Sequence, residues 1–456
     1  MASPSTSEVT HPVVFTTQTP YALPSQKFMI PASWRRYQLS QLVNKALSLP
    51  KPIPFDFLVR GEILRTTLGE WCSEKGIGEE ETLEIEYFES IMPPQRMSTL
   101  PHDEWVSSVS CKLPNRLLTA SYDGYLRAFD YSQNLLQTSP LHEAPVTSFA
   151  VIPQNLAGFD EDDTHLIASG SHDLTARLTK VSPDAQGPKS QTLASLHLHT
   201  APLSSIAANS TGKTLLTASW DGLIGVWDTI IPSSDEVPID EVQGGDRKKR
   251  RKVDNAESAN IRRKAPLNVL KSHTARVSKA IFSHVKGKQN TAYSAGFDST
   301  VRVWDVENGV CTSTINASAK PFLDLALTTS GTSVLASSTD RTVCQYDVRA
   351  PELSTTTPSA ATFMHPATPS CIAVPEPSSD SSAPSEHQFM TGAYDGIVRL
   401  WDTRSAKSAV ASFKVWEGKG GKVLDIDWNG GLAVIGGEGG VEVWRASQGD
   451  RLASSE

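Results

Sequence analysis

The sequence has few of the features of secreted, disulfide-stabilised or membrane-spanning proteins. Its 456 residues include only five cysteines, an odd number, and no two of them have Cys-x-x-Cys spacing. A disulfide framework or a zinc site is therefore not expected. The N-terminus has no basic stretch followed by an apolar core, and no apolar run approaches the length of a membrane span. We expect a soluble protein of the cytosol or the nucleus.

Positive charge is also in deficit over the chain as a whole. Lys and Arg number 42 against 50 Asp and Glu, which gives a net charge of −8. The molecule is therefore not a basic nucleic-acid binder, and any such contact would need a local basic patch. Hydrophobic residues make up 39% of the chain, which is enough for packed cores, and the length favours two units or a repeat array with an appendage.

The sequence does contain an internal repeat. Two small residues, a variable residue, an acidic residue and an alternating apolar stretch recur seven times. The acidic residues are Asp123, Asp173, Asp221, Asp298, Asp340, Asp395 and Glu438. Most copies lie roughly 40 to 55 residues apart, which is the period of four-stranded propeller blades. We predict a mainly β protein in which residues 92–448 form a seven-bladed propeller, followed by a short tail at 449–456.

The repeats resemble those of the WD-repeat family. A histidine stands before the first strand of four blades, at His142, His199, His273 and His365. In that family this histidine bonds the turn acid and a Ser or Thr, so the resemblance implies that the seven turn acids are structural. The second repeat lacks the Gly and Trp of the pattern and the seventh has Glu438, which predicts weaker turn networks there. The last repeat ends near Trp444, and residues 95–100 are in register to supply its outer strand and close the ring.

Residues 12–91 do not follow the repeat. Strands are predicted at 13–17 and 27–30, then a helix with Ser40 as N-cap, which prolines 50, 52 and 54 end. Alternation at 55–59 and 83–87 predicts further strands. The order β-β-α-β-β-β resembles a ubiquitin-like α/β fold. Residues 1–11 before it are expected to be disordered.

An insertion at residues 232–265 lies between the third and fourth repeats. Its first half is acidic, and two basic clusters follow: Arg247, Lys248, Lys249, Arg250, Arg251 and Lys252, then Arg262, Arg263 and Lys264. Such a run cannot bury itself and is predicted to be disordered. The spacing favours a bipartite nuclear localisation signal, while a contact with RNA phosphates and a plain solvated loop remain open alternatives.

Two segments contain residue types of catalytic or phosphate-binding motifs but lack the arrangement that such motifs require. Ser171, His172 and Asp173 have the residue types of a hydrolase triad, but side chains that are adjacent in sequence cannot converge as a triad requires. Residues 418–422 (Gly-Lys-Gly-Gly-Lys) lack the spacing of a phosphate-binding loop. We therefore predict that the chain is not an enzyme and that it holds no cofactor or metal of its own.

An acidic cluster, Glu79, Glu80 and Glu81, precedes the last predicted strand of the N-terminal domain. One interpretation is a solvated acidic loop. The other is a carboxylate offered to a Mg²⁺ ion held by a partner, because Mg²⁺ prefers oxygen ligands and keeps open positions.

Four segments resemble those of one family of assembly factors: residues 54–58 (Pro-Phe-Asp-Phe-Leu), 64–66 (Leu-Arg-Thr), 104–108 (Glu-Trp-Val-Ser-Ser) and 262–267 (Arg-Arg-Lys-Ala-Pro-Leu). With them, the chain resembles the WD-repeat ribosome biogenesis proteins that partner pescadillo and the block-of-proliferation protein, and that carry an N-terminal NLE domain. The resemblance implies a non-catalytic role in pre-60S particles of the nucleolus and nucleoplasm, in maturation of large-subunit and 5.8S rRNA.

The same resemblance implies two contacts. The propeller would dock on the block-of-proliferation partner, and the ubiquitin-like domain would bind the adhesion domain of the AAA ATPase midasin, which would release the complex. Glu80 would reach midasin's Mg²⁺, with Glu79 or Glu81 as possible substitutes. Two alternatives remain: a Notchless-type factor, expected to have one more blade, and a substrate receptor of a ubiquitin ligase.

Overall fold

The computed structural model describes residues 9–49, 51–90, 93–153, 164–182, 190–237, 261–316, 320–349, 359–376, 386–418 and 420–446. The tail predicted at 449–456 and the basic cluster at 247–252 lie outside these residues. The chain divides into two compact units, Met1–Pro93 with Trp401–Val410, and Pro94–Leu400 with Ala411–Glu456. Within the described ranges, every helix is too short or too polar to cross a membrane.

The first unit contains a five-stranded sheet in the order β2-β1-β5-β3-β4. β1 and β5 form a parallel central pair, and the other neighbours are antiparallel. The elements are β1 (Thr10–Thr16), β2 (Lys27–Pro31), α1 (Arg36–Leu47), β3 (Phe55–Val59), β4 (Glu62–Ile63), α2 (Leu68–Lys75) and β5 (Leu83–Glu89). This is the predicted ubiquitin-like arrangement with one helix more than expected.

The core of this unit lies between the sheet and α1. Leu39 and Val43 on the helix are buried with Phe15, Phe57 and Ile85 of the strands. Leu39 and Val43 are four residues apart on the helix, and β1 alternates buried with half-buried residues, so both elements turn one apolar face inward. Burial of this face holds the helix on the sheet and fixes where the turns between the strands emerge.

Three boundaries in this unit differ from the sequence prediction. α1 begins at Arg36, so Ser40 is not its N-cap; the Ser40 hydroxyl instead accepts the Phe55 N–H at 3.0 Å. Thr10 and His11 pair with β2, so the predicted disordered segment 1–11 extends too far. α2 was not predicted, although the Thr67 hydroxyl accepts the Glu70 N–H and Glu70 accepts the Thr67 N–H, which is a capping box.

In the second unit, the described residues form seven blade sheets, which confirms the predicted seven-bladed fold. The Notchless-type alternative was expected to have one more blade. From the inner strand outward, the blades of the first half are β7 (Val106–Ser110), β8 (Arg116–Ser121), β9 (Tyr125–Asp130) and β10 (Leu135–Pro140); β11 (Val146–Ile152), β12 (His165–Ser171), β13 (Ala176–Val181) and β14 (Ser190–Leu196); β15 (Leu203–Ala208), β16 (Thr214–Ser219), β17 (Leu223–Asp228) and β19 (Asn268–Lys271).

The second half continues the same order. Its blades are β20 (Val277–Phe282), β21 (Thr291–Gly296), β22 (Thr300–Asp305) and β23 (Val310–Asn316); β24 (Phe322–Leu327), β25 (Ser333–Ser338), β26 (Thr342–Asp347) and β27 (Ala361–Met364); β28 (Pro369–Ala373), β29 (Gln388–Ala393), β30 (Ile397–Asp402) and β31 (Ala411–Lys414); β32 (Val423–Asn429), β33 (Leu432–Gly437), β34 (Gly440–Arg445) and β6 (Gln95–Leu100).

The ring closes on itself. Each inner strand contacts the inner strand of the next blade, and β32 contacts β7. β6 lies antiparallel to β34, with Leu100 opposite Val441, so the chain upstream of blade 1 supplies the outer strand of blade 7. Hydroxyls at the register shift of an inner strand also join neighbouring blades. The donors and accepting carbonyls are Ser107 to Val146 (2.6 Å), Ser204 to Val277 (2.7 Å), Ser278 to Phe322 (2.5 Å) and Ser370 to Val423 (2.6 Å).

The predicted disorder of residues 232–265 is wrong at the C-terminal end. β18 (Arg262–Lys264) lies parallel to β14 and adds a fifth strand to blade 2. Strand pairing and the burial of Lys264 order this part of the basic run.

Candidate partner-binding sites

The blade turns hold buried hydrogen-bond networks, and blade 4 has a complete one. His273 bonds Asp298 through Nδ1 at 2.8 Å and Ser294 through Nε2 at 2.7 Å. The Trp304 indole donates to the same Ser294 Oγ at 2.8 Å. Burial by itself raises the pKa of Asp298, but the hydrogen bond and charge of His273 hold that pKa at about 2. The network therefore fixes the turn to the start of the blade.

Blades 2 and 3 repeat this arrangement. His199 bonds Asp221 at 3.0 Å and Thr217 at 2.8 Å, and Trp227 donates to Thr217 at 2.9 Å. In blade 2, His142 bonds Asp173 and Ser169 at 2.7 and 2.9 Å, and Thr179 stands where the Trp would be. The weaker network expected for the second repeat is thus missing only its Trp bond.

The other blades fix their turn acids differently. The carboxylates and their partners are Asp123 with Arg127, Asp395 with Arg399, and Asp340 with Thr342. In blade 7, Glu438 pairs with Lys422, but its N–H donates to the Lys422 carbonyl as Tyr122 donates to Trp105 in blade 1. Glu438 therefore stands at the position before the turn acid, and Gly439 follows it, so the prediction of Glu438 as a turn acid is wrong. His365 precedes blade 6, but Asp395 is bound by Arg399. Burial and the positive charge of Arg399 lower the pKa of His365 to about 4. His102, which was not among the predicted histidines, bonds Thr119 at 2.9 Å in blade 1.

These networks account for the residue types of the apparent triad. Asp173 is bound by His142, whereas the ring of His172 lies 6.3 Å from Tyr122 and 5.5 Å from Trp220. Ser171 donates to the Pro145 carbonyl at 2.9 Å. Across the described ranges, no group of three or more His, Cys, Asp or Glu is placed to hold a metal ion.

The acidic cluster of the first unit forms an exposed turn between α2 and β5. The Glu81 N–H donates to the Gly78 carbonyl at 3.3 Å, which places Glu79 and Glu80 at the apex. Glu81 forms an ion pair with Arg60, while Glu79 and Glu80 form none with the residues that the structure describes. Glu80 is therefore free to reach a ligand outside the chain, and Glu81 would first have to leave Arg60.

The second basic cluster is only partly exposed. Arg262 is exposed and Arg263 half-buried, but Lys264 is buried with its ammonium group against Asp228 and the Ile230 carbonyl. The first cluster, at residues 247–252, lies outside the described residues. The second cluster is thus tied into a blade through Lys264.

The two ends of the insertion are joined beside β18. The Arg263 N–H donates to the Asp235 carboxylate at 2.9 Å, and the Glu236 N–H donates to the Arg263 carbonyl at 2.8 Å. The Ala265 N–H donates to the Glu236 carboxylate at 3.0 Å. The acidic start of the insertion therefore pairs with its basic end, which closes it into a loop.

Similarity to known proteins accords with this architecture. Residues 12–72 match the NLE (NUC135) domain family, and residues 190–228, 264–305 and 362–402 match the WD domain, G-beta repeat family. The ribosome biogenesis protein YTM1 of Laccaria bicolor is 60% identical over 98% of this chain and 97% of its own length. The proteins of that name from Coprinopsis cinerea and Saccharomyces cerevisiae S288c are 56% and 30% identical, over 95% and 89% of this chain and 94% and 89% of their own lengths. The chain belongs to the YTM1 family of ribosome biogenesis proteins.

Proposed function

We propose that this chain is a non-catalytic assembly factor of the large (60S) ribosomal subunit, needed for maturation of large-subunit and 5.8S rRNA. Membership of a family named for ribosome biogenesis supports the general role. In this proposal the propeller docks on the block-of-proliferation protein, in a complex with pescadillo on the pre-60S particle. The chain acts in the nucleus, in both nucleolus and nucleoplasm.

The first unit binds midasin. One observation carries this step: Glu80 is exposed at a turn apex, with no ion-pair partner within the described part of the chain, while its neighbour Glu81 is paired with Arg60. A carboxylate in this state loses little on binding a cation, because no internal ion pair has to break. Glu80 then occupies an open position on the Mg²⁺ of midasin's adhesion domain. The metal belongs to the partner, and this chain needs no cofactor.

Midasin's ATPase then pulls the complex from the particle, while this chain transmits the force. The non-catalytic role is supported by the use of Ser171, His142 and Asp173 in a blade turn rather than in a cleft. The seven-bladed ring supplies a rigid body for this purpose, because each blade is bonded to the next.

Conditional depletion tests the assembly role. Fungal cells that lose this chain are expected to have fewer free 60S subunits relative to 40S and to accumulate precursors of large-subunit and 5.8S rRNA. Purified chain is expected to carry pre-60S particles, pescadillo and the block-of-proliferation protein. Normal subunit ratios, or co-purification of cullin components in place of pre-ribosomes, would refute the proposal and favour a ubiquitin-ligase receptor.

A further inference from the structure

One end of the propeller ring, where the inner strands begin, has two recurring positions in each blade. The residue before the turn acid donates its backbone N–H to the carbonyl of the residue before the inner strand. Tyr122 donates to Trp105 at 2.9 Å, and Trp220 donates to Pro202 at 3.0 Å; each of the seven described blades has this bond. Only backbone atoms take part, so the fold places these side chains at the mouth of the ring without dictating their type.

Most blades nevertheless carry a ring at the position before the turn acid. Thr339 in blade 5 and Glu438 in blade 7 make the same backbone bond with small or polar side chains, so an aromatic group is not needed for the turn. The other five blades have Tyr122, His172, Trp220, Phe297 and Tyr394. Side chains that the fold does not require, and that reduce solubility when exposed, indicate a binding surface.

Three of these rings, Tyr122, His172 and Trp220, form a continuous arc with Trp105. Ring centroids are 5.8 Å apart for Trp105 and Tyr122, 6.3 Å for Tyr122 and His172, and 5.5 Å for His172 and Trp220. Trp105 and Trp220 are 43% and 40% exposed. Burial lowers the pKa of His172 below its usual value. We call this row, from Trp105 to Trp220 and on to Arg276 and Phe297, the mouth arc.

A guanidinium group is held at one end of the mouth arc. The Arg276 Cζ lies 4.7 Å from the Trp220 ring centroid and 5.7 Å from that of Phe297. The guanidinium thus lies against two aromatic rings, while its N–H groups make no hydrogen bond or ion pair within the described ranges. A guanidinium with free N–H groups can bind a carboxylate through two parallel hydrogen bonds.

A second cation lies at the other end but is already engaged. Lys422 Nζ is 5.6 Å from the Trp105 ring and 5.8 Å from the Tyr394 ring. It also pairs with Glu438 at 3.1 Å. Arg276 is therefore the cation with free donors, and it stands directly beside exposed tryptophan.

We propose that the mouth arc binds a peptide segment of another protein in which an Asp or Glu stands beside aromatic or large aliphatic side chains. The carboxylate pairs with Arg276, and the apolar side chains cover Trp220 and Tyr122. Aromatic and Arg residues supply most of the binding energy in protein interfaces. This inference concerns a surface of the propeller alone and does not rest on the midasin contact.

Single-stranded RNA also binds arrays of aromatic and basic side chains. The surroundings of the mouth arc favour the acidic peptide instead. Asp103, Glu104 and Glu143 are exposed on the segments that lead into the inner strands of blades 1 and 2. These carboxylates would repel a continuous phosphate backbone, whereas a peptide brings a single negative charge to Arg276.

A random dodecapeptide phage library, selected on the immobilised full-length chain, tests the proposal. Enriched sequences are expected to carry Asp or Glu next to an aromatic or large aliphatic residue. A synthetic peptide of the enriched sequence is expected to bind at least about tenfold more weakly to Arg276→Glu and Trp220→Ala. Arg276→Lys, which keeps the charge but not the two parallel bonds, is expected to lose less.

Tyr131→Ala is the matched control, because Tyr131 is an exposed aromatic residue directly after β9, at the opposite end of that strand from the mouth arc. It should leave peptide binding unchanged. Thermal unfolding of each variant verifies that the propeller stays folded. Failure to enrich acidic-apolar sequences, or equal binding by wild type and Arg276→Glu, would overturn the proposal. So would binding of a twenty-nucleotide polyuridine RNA at this face, lost in Arg276→Glu, without enrichment of any peptide.

Discussion

Lys264 lies buried with its ammonium group against the carboxylate of Asp228. The last residue of a run that looks like a solvated basic segment is therefore part of blade packing. The Lys264 side chain is 2% exposed, against 29% for Asp228. Burial of a lysine is tolerated here because the ammonium group has both this carboxylate and the Ile230 carbonyl as acceptors.

Removal of Asp228 should destabilise the propeller. Asp228→Ala leaves a buried ammonium group without its counter-charge, which costs about 3 kcal/mol in the free energy of unfolding. Lys264→Met removes the charge together with its need for a partner and should cost less. Urea unfolding of both variants measures this order, with the exposed Arg262→Ala as control. Equal stability of Asp228→Ala and Arg262→Ala would show that the pair contributes nothing.

Nuclear import should depend on the first basic cluster and not on the second. We expect that replacing Lys248 and Lys249 with Ala prevents nuclear accumulation of a fluorescent fusion, because an import receptor reads a run of consecutive basic residues. Replacing Arg262 and Arg263 with Ala should have little effect, since β18 is paired with β14. Loss of import in the second variant, with the protein still folded, would restore the bipartite interpretation.

The hydrogen-bond network in blade 4 should contribute substantially to the free energy of unfolding. Ser294→Ala removes the acceptor of the Trp304 indole and a partner of His273, and both groups are buried or nearly so. The expected loss is about 2–4 kcal/mol in the free energy of unfolding, because the partners stay behind unsatisfied. Thr312→Ala, an exposed hydroxyl in the same blade, should change stability by under about 0.5 kcal/mol. Similar losses in the two variants would contradict a special role for the network.

Acid should destabilise blade 6 through His365. Its pKa is about 4 in the folded chain, whereas in the unfolded chain it titrates near its usual value. As pH falls from about 6.5 to 4, the unfolded state takes up a proton that the folded state does not, so stability is lost, by about 3 kcal/mol over the full range. The thermal midpoint of wild type should therefore approach that of His365→Gln as pH falls from 7.5 to 4.5. A constant difference between the two midpoints would contradict this.

The periodic part of the chain could be predicted from its sequence, because each blade repeats the same turn. Contacts between residues distant in the sequence could not be predicted. The local sequence does not show that Arg60 forms an ion pair with Glu81 and not with Glu80. Nor does it show that Arg262 to Lys264 pair with a strand of blade 2. Helix α2 could have been predicted from its caps. Thr67 and Glu70 form a capping box at its N-terminus, and Gly76 is its C-cap.

The mouth arc could be predicted from the sequence only in part. Its residues occupy two recurring positions of the repeat, before the inner strand and before the turn acid, and both positions can be found in the sequence. Their contact, such as that of His172 with Trp220, joins two different blades. It follows only from the closed ring, in which positions about 50 residues apart in the chain become neighbours.

Binding of the full-length chain to the Mg²⁺-loaded adhesion domain of midasin is the decisive test of the Glu80 contact. We expect tight binding by wild type, loss in EDTA, and at least about a hundredfold weaker binding by Glu80→Gln, which keeps the shape of the side chain but not its charge. Glu79→Gln and Glu81→Gln should bind within a few-fold of wild type. If wild type does not bind, or if folded Glu80→Gln binds as well as wild type, the proposed carboxylate contact is wrong.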